Sequence, residues 1–322
     1  MKKEIILSGI QPTGKLHIGN YLGALKNFVE LQNKYECYFF IADYHSITED
    51  YDPGVKQQQI AELATDFLAA GLDPKKCTIF AQSYIPEHME LAWVFSCVTP
   101  IAYLERMTQY KDKAGRQKEN INVGLFSYPV LQAADILMYR ATAVPVGQDQ
   151  DQHVELTRQI AKFFNNRFGN LFAEPKTLHT EVPKIMSLLA PDKKMSKSLG
   201  DNHCIYIDDE PEVIKKKLSK AVTDTGNGKG IGAQNLIELV KIFGNQNNHD
   251  KFIADSKNGK LKYSELKDQL ANDVSEYFSD FRKKKKEISE NEVKKILAAG
   301  AKKAQKVATR TMEEVRTKIG IR

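Results

Sequence analysis

Ile5-Ile6-Leu7-Ser8-Gly9-Ile10-Gln11-Pro12-Thr13-Gly14-Lys15-Leu16-His17-Ile18-Gly19-Asn20 carries a short β-rich run through a Gly/Pro loop into the start of a helix. A strand that feeds a helix through such a loop is the opening unit of a layered α/β sheet. The strand is expected at Ile5–Leu7 and the helix from about Asn20 to Asn33. Further along, Cys37–Ala42 is an almost unbroken apolar run, the pattern of a strand buried on both faces. A helical pattern from about Val55 to Ala70 stops at Gly71, ahead of Asp73-Pro74. Thr78–Ala81 and Ala143–Val146 read as two more strands, the second set between helices around Ala133–Tyr139 and Gln152–Phe168. The alternation predicts an α/β fold with a doubly wound parallel sheet, whose ligands bind at the carboxyl ends of the strands.

After about Asp201 the texture changes. One more strand is expected at Cys204–Ile207, and Asp209-Glu210-Pro211 then starts a helix with acid and proline in its first turn. Gly226-Asn227-Gly228-Lys229-Gly230 reads as a flexible loop, and everything beyond it is helical. The last helix, about 289–319, opens with a Ser289/Glu292 capping box and ends at Gly320. Its apolar face runs through Val293, Ile296, Leu297, Ala304, Val307, Ala308, Val315 and Ile319. Gly300 falls on that face and should cost about 1 kcal/mol relative to Ala, which weakens the case for one continuous helix. The expected division is therefore 1–207, an α/β catalytic domain, and 208–322, a helical region whose last helix can pack back on the first domain.

Composition narrows the class. The 322 residues carry a formal net charge of +6, which permits nucleic-acid contact without requiring it. From Arg282 to Arg322 there are fourteen Lys/Arg against five Asp/Glu, so a charge of +9 sits on the tail and −3 on the rest. Such a tail meets a polyanion or is a solvated helix face. Cys37, Cys77, Cys97 and Cys204 show neither CxxC nor zinc spacing; the first three lie in apolar strings and read as small hydrophobes. No disulfide framework, structural metal, signal peptide or membrane span is expected, which points to a cytoplasmic protein.

Two loops carry the chemistry. The one after the first strand lies where an α/β sheet binds phosphates, because free N–H groups and the helix dipole favour negative charge there. Gly9 followed by Gly14-Lys15 nearly matches a P-loop, and Cys37–Asp43 resembles a strand ending in a magnesium-binding acid. Leu16 stands where the P-loop hydroxyl would ligate Mg²⁺, however, and Pro12 removes a cradling N–H. The second loop, Lys194-Met195-Ser196-Lys197-Ser198, lies between Pro191-Asp192 and Gly200-Asp201. Carboxylate attack on an α-phosphate builds negative charge on phosphoryl oxygens and departing pyrophosphate, and lysines on a closing loop can grip it in the transition state.

His17-Ile18-Gly19-Asn20 resembles the His-Ile-Gly-His motif of class I aminoacyl-tRNA synthetases, with Asn in place of the second His, and Lys194–Ser198 matches their second motif in full. Ser8–Gly14 with Ile18–Tyr21, Leu104–Gln109, Ala133–Leu137, Val144–Gly147 and Ala221–Asp224 extend the likeness. From about 5 to 225 the chain is similar to the bacterial tryptophanyl-tRNA synthetases. The resemblance implies a Rossmann-like catalytic domain and a homodimer that forms tryptophanyl-adenylate from L-tryptophan and Mg·ATP. It then acylates the 2′-hydroxyl at the 3′ end of tRNA(Trp), with no metal held by the protein itself.

By the same resemblance, His17, Lys194 and Lys197 are catalytic. Gln11, Pro12, Thr13, Gly19 and Asn20 line the ATP site, with Ile185 against adenine and Gly147, Gln148 and Asp149 at the ribose. Lys194, Met195, Ser196, Lys197 and Ser198 hold the phosphates, and Lys111 and Lys113 can reach them on closure. Asp135 accepts the indole N–H, and Tyr128, His45 and Gln150 surround the amino acid. About Pro211 to Asp280 is the expected anticodon-binding region.

Asp135 can also be argued from its surroundings. It lies in the apolar run Leu131–Tyr139, where an unpaired carboxylate is costly, so something must pair with it. An indole N–H, a phenol O–H and a structural partner all qualify. Tyrosine is therefore a rival substrate, and Gln132 sharpens the rivalry. Tryptophan enzymes often have Met there, whereas Gln132-Ala133-Ala134-Asp135 resembles the Gln-x-x-Asp spacing of tyrosine enzymes, and Gln132 is expected to contact the substrate amino group. A third reading is an inactive tryptophan- or nucleotide-binding relative, against which Lys194 and Lys197 argue.

Overall fold

A computed structural model describes residues 3–108, 121–147, 150–179, 183–224 and 228–321. They form two compact units, and the division does not follow the chain. One unit contains Met1–Gly14, Ala24–Glu181 and Ile288–Arg322; the other contains Lys15–Gly23 and Val182–Glu287. The first nucleotide loop is thus split at Gly14/Lys15, and the last helix belongs with the sheet. A boundary at 207/208 is not where contacts thin out, because neighbours in space come from distant parts of the chain.

The first unit is built on a parallel sheet of β1 (Ile5–Ile10), β2 (Glu36–Ile41), β3 (Cys77–Ala81), β4 (Ala143–Val146) and β5 (Lys176–His179), in the order β3-β2-β1-β4-β5. β1 pairs with β2 from Ile5↔Glu36 to Ile10↔Ile41, and with β4 at Ile6↔Ala143. Winding reverses at β1, so the ligand crevice of such a sheet lies at the carboxyl ends of these central strands. β5 is a correction to the sequence reading. Cys204–Ile207, apolar enough to suggest a strand, is not in the sheet at all, whereas Lys176–His179 is an edge strand with no fully buried side chain and little β signal.

The principal helices are α1 (Pro53–Ala69), α2 (Glu87–Ser96), α3 (Val123–Met138), α4 (Asp151–Phe168), α5 (Pro211–Ser219), α6 (Ile231–Phe243), α7 (Gln246–Lys257), α8 (Tyr263–Tyr277), α9 (Ser279–Glu287) and α10 (Glu290–Ile319). α3 starts at Asn122, whose side chain accepts the Leu125 N–H, and is buried nearly all round, as a core helix must be. α10 is capped by Ser289 and runs unbroken through Gly300. The reason is close approach: a Cβ at Gly300 would lie 1.8 Å from the Ile79 carbonyl oxygen, so only glycine lets α10 lie on β3. Thr311 Oγ1 donates to Met138 O at 2.9 Å, tying α10 to the end of α3. Cys97, expected inside, is exposed instead. It continues the outer stripe of α2, Met89 and Trp93, at four-residue spacing.

In the second unit, Leu16–Ile18 pairs antiparallel with Ile205–Ile207 through Ile18 N–H to Ile205 O (2.9 Å) and Ile207 N–H to Leu16 O (3.0 Å). This is what the apolar run at 204–207 does. α6 and α5 pack on α8, with Leu236, Val240, Leu266, Leu270 and Val274 buried between them. Lys217, nearly fully buried on α5, is neutralised by Asp209 at 2.9 Å and Asp201 at 3.3 Å. A buried ammonium needs such partners. No described helix is long and apolar enough to cross a membrane.

Candidate active site

The nucleotide loop acquires its shape from a reciprocal pair of hydrogen bonds. His17 caps the turn Ile18–Asn20: its Nδ1 accepts the Asn20 N–H at 3.2 Å, while Asn20 Oδ1 accepts the His17 N–H at 3.2 Å. The chain then widens into a π-type turn over Tyr21–Leu25, a geometry often found at functional sites. With Nδ1 an acceptor, the imidazole proton sits on Nε2, and Asn20 keeps its Nδ2 hydrogens. Burial first, then the charges of Lys197 and Lys194, push His17 down from 6.5 to about 4. At neutral pH it is an uncharged hydrogen-bond donor. A Cβ at Gly19 would lie 3.0 Å from the His17 ring, tighter than an ordinary contact, and 3.6 Å from Ile185.

The lysine loop lies in the same unit. Met195 is buried and its N–H bonds Ile185 O at 2.9 Å; Met186 and Lys194 form an antiparallel bridge. Ser196 and Ser198 share a hydrogen bond of 2.9 Å. Lys194 is exposed, whereas burial depresses the ammonium of the half-buried Lys197 below the usual lysine range. Two lysines that both perturb one imidazole make a cation-rich cluster around a neutral donor, which suits a polyphosphate.

The other expected residues belong to the first unit. Gln11, Pro12 and Thr13 follow the end of β1, where Lys56 Nζ donates to Pro12 O at 3.3 Å. Gly147 follows β4 and its carbonyl accepts the Gln150 N–H at 3.0 Å. Gln148, Asp149, Lys111 and Lys113 lie outside the described residues. Tyr128, Gln132 and Asp135 stand at helical spacing on one face of α3. His45, in the turn after β2, reaches Asp135 Oδ2 through Nε2 at 2.7 Å, and its ring meets Tyr128 edge-on at 6.3 Å. Tyr128 Oη is 3.0 Å from His153 Nε2, and its hydroxyl is raised to about 12, first by burial and then by Glu49.

Asp135 is fully buried, and the structural partners that sequence left open are present. Gln82 Nε2 donates to Oδ1 at 2.7 Å, and His88 Nδ1 lies 2.5 Å from the same atom. Burial alone would raise Asp135, but the hydrogen bonds it accepts from His45 and His88 outweigh it, leaving the carboxyl below its ordinary value. Sequence reasoning missed Gln82 and His88. Gln82 had a legible signal, a polar residue immediately after a buried parallel strand, whereas His88 is a lone histidine on a helix. Asp43, the candidate magnesium acid of the P-loop reading, instead holds the turn after β3. It accepts Ser83 N–H at 2.9 Å, the Ser83 hydroxyl and Tyr44 N–H at 3.0 Å. No cluster of metal-ligating side chains occurs among the described residues.

A parallel sheet wound both ways from β1, with a capped His-Ile-Gly-Asn turn beside a Lys-Met-Ser-Lys-Ser loop, defines a class I aminoacyl-tRNA synthetase. The family model described as tRNA synthetases class I (W and Y) matches residues 1–279, and the chain belongs to that family. Among its relatives is the tryptophan–tRNA ligase of Caldanaerobacter subterraneus, 44% identical and covering 98% of each chain. That of Helicobacter pylori is 42% identical over 100% of each. The structure of Campylobacter jejuni tryptophanyl-tRNA synthetase complexed with ADP and tryptophan superposes with a TM-score of 0.87 at 37% identity, covering 98% of this chain and 99% of that one.

Proposed function

We infer that this chain is a tryptophan–tRNA ligase. A carboxylate oxygen of L-tryptophan attacks the α-phosphorus of Mg·ATP and the bond to the bridging oxygen of the β-phosphate breaks. Pyrophosphate leaves, and tryptophanyl-adenylate remains. A hydroxyl at the 3′ end of tRNA(Trp) then takes the tryptophanyl group and AMP departs. The observation that carries the activation step is the convergence of His17 with Lys194 and Lys197, both of which depress the imidazole. Neutral His17 donates through Nε2, and the two ammonium groups stabilise charge that grows on the phosphates as the transition state forms.

The finer assignments follow the family resemblance. Gln11, Pro12, Thr13, Gly19, Asn20, Gly147 and Ile185 bind ATP, with Met195, Ser196 and Ser198 shaping the lysine loop. Asp135 accepts the indole N–H, Gln132 contacts the amino group, and His45, Tyr128 and Gln150 enclose the substrate. The helical region after Pro211 meets the tRNA, and the protein acts in the cytoplasm. A homodimer is supported by the outer stripe of α2, where Trp93 is 72% exposed with Met89 and Cys97 a turn to either side. The deciding measurement is exchange of labelled pyrophosphate into ATP. It should depend on tryptophan; exchange with tyrosine alone would reverse the substrate assignment, and exchange with neither would remove the activity.

A further inference from the structure

The carboxylate of Asp135 is fully buried in the first unit with three side-chain partners, and those partners are themselves arranged. Asp135 Oδ1 receives two hydrogens, from Gln82 Nε2 and His88 Nδ1, which fills both of its lone pairs. Oδ2 receives one, from His45 Nε2, so among the described residues one acceptor position is left on the entire group. Behind His88 stands Tyr139, with its Oη 2.7 Å from His88 Nε2. Since a carboxylate accepts only donors, the His88 proton is on Nδ1, and Nε2 accepts the tyrosine O–H. Tyr139 is fixed in turn by stacking on Tyr38 of β2 at 4.8 Å between centroids. Gln82 Oε1, the acceptor of the amide whose nitrogen bonds Asp135, is buried with no hydrogen-bond partner among the described residues.

We propose that His88, oriented by Tyr139, and Gln82 are positioning residues that select tryptophan by holding Asp135 as a carboxylate with a single vacant lone pair. This rests on the assignment of Asp135 to the indole N–H. A donor-only edge satisfies the remaining lone pair completely. A phenol can give its hydrogen to the same atom, but its oxygen also needs a hydrogen in return, and His45, His88 and one of the two Gln82 Nε2 hydrogens are directed at the carboxylate. Were Asp135 to take up a proton, it could donate to a phenol oxygen and the preference would fall. The groups facing Asp135 are His45 from the turn after β2, Gln82 from the end of β3, His88 from α2 and, through His88, Tyr139 from the end of α3. Burial raises Asp135 and the two histidines lower it, so loss of His88 moves its titration upward.

The test is tryptophan-dependent pyrophosphate exchange from about pH 5 to 8, with His88→Leu, His88→Asn, Tyr139→Phe and Asp135→Asn. His88→Leu is expected to raise the KM for tryptophan about tenfold or more with the KM for ATP unchanged. It should also move the acidic limb of kcat/KM upward by about one pH unit. His88→Asn, whose amide nitrogen occupies the place of Nδ1, should restore both. Tyr139→Phe keeps the stacked ring but removes the O–H, and should shift the limb in the same direction; if His88→Leu does not fold, this variant decides. Tryptophan KM and pH profile unchanged in the His88 and Tyr139 variants, while Asp135→Asn loses tryptophan, would overturn the proposal and spare the Asp135 assignment. An unchanged tryptophan KM in Asp135→Asn would overturn both.

Discussion

Replacement of Lys197 by methionine separates catalysis from stability. The folded protein holds this ammonium half-buried, and burial depresses its pKa. A lysine whose folded pKa lies below its unfolded value costs stability wherever it is charged, at every pH below the folded pKa, and the cost disappears only above the unfolded value. Methionine keeps the apolar stem and removes the charge, so Lys197→Met should unfold at the same temperature as the parent or higher. Catalysis should move the other way. The same partial desolvation makes the ammonium an effective partner for charge developing on departing pyrophosphate. Losing one such preorganised contact typically raises a barrier by about 3 kcal/mol, or kcat by a loss of about 10²- to 10³-fold. Pyrophosphate exchange under saturating tryptophan and ATP reads kcat, and calorimetry reads the melting temperature. A variant that loses less than about tenfold in kcat, or melts several degrees lower, would refute the placement of Lys197 as a strained, transition-state-directed charge.

Four further outcomes follow from particular contacts. His17 titrates near 4 when folded and near 6.5 otherwise, so it subtracts stability as pH falls through that window; relative to His17→Gln, the parent should lose up to about 3 kcal/mol in urea unfolding between neutral pH and about pH 4. Gly300→Ala gains helix propensity but drives a methyl into the Ile79 carbonyl, and should lower stability by about 1–3 kcal/mol in a thermal melt. Gln132→Met should raise the tryptophan KM about tenfold with the ATP KM unchanged, as expected for loss of a hydrogen bond to a charged amino group; an unaltered KM removes that role. The proposed homodimer predicts that the parent sediments as a dimer and Trp93→Asp as a monomer; a parent that sediments as a monomer removes the dimer, and a variant that stays dimeric moves the interface off α2.

Much of the site was legible because its signals are local. His17-Ile18-Gly19-Asn20 reads as a helix entrance, and the structure makes it one through two hydrogen bonds three residues apart. β1 to β4 follow from runs that alternate with helical patterns, whereas Tyr128, Gln132 and Asp135 share one face because α3 begins at Val123, well ahead of the helix expected around Ala133–Tyr139. β5 was hidden because an edge strand with half-exposed side chains needs no apolar run, and Cys204–Ile207 misled because burial against Leu16–Ile18 leaves the same signature as a sheet strand.

Identity of the reacting groups was therefore set by the chain, whereas their state was set by its folding. Nothing in the order of residues says that His17 is neutral; that follows from burial and from Lys194 and Lys197, which lie some 180 positions away. Nor does it say that Asp135 has one lone pair remaining, because His45, Gln82 and His88 reach it from three separate segments. Periodicity and turn chemistry act over a few residues and can be read from them. Desolvation and hydrogen-bond saturation depend on every group within a few ångströms in space, and only the tertiary structure brings those groups together.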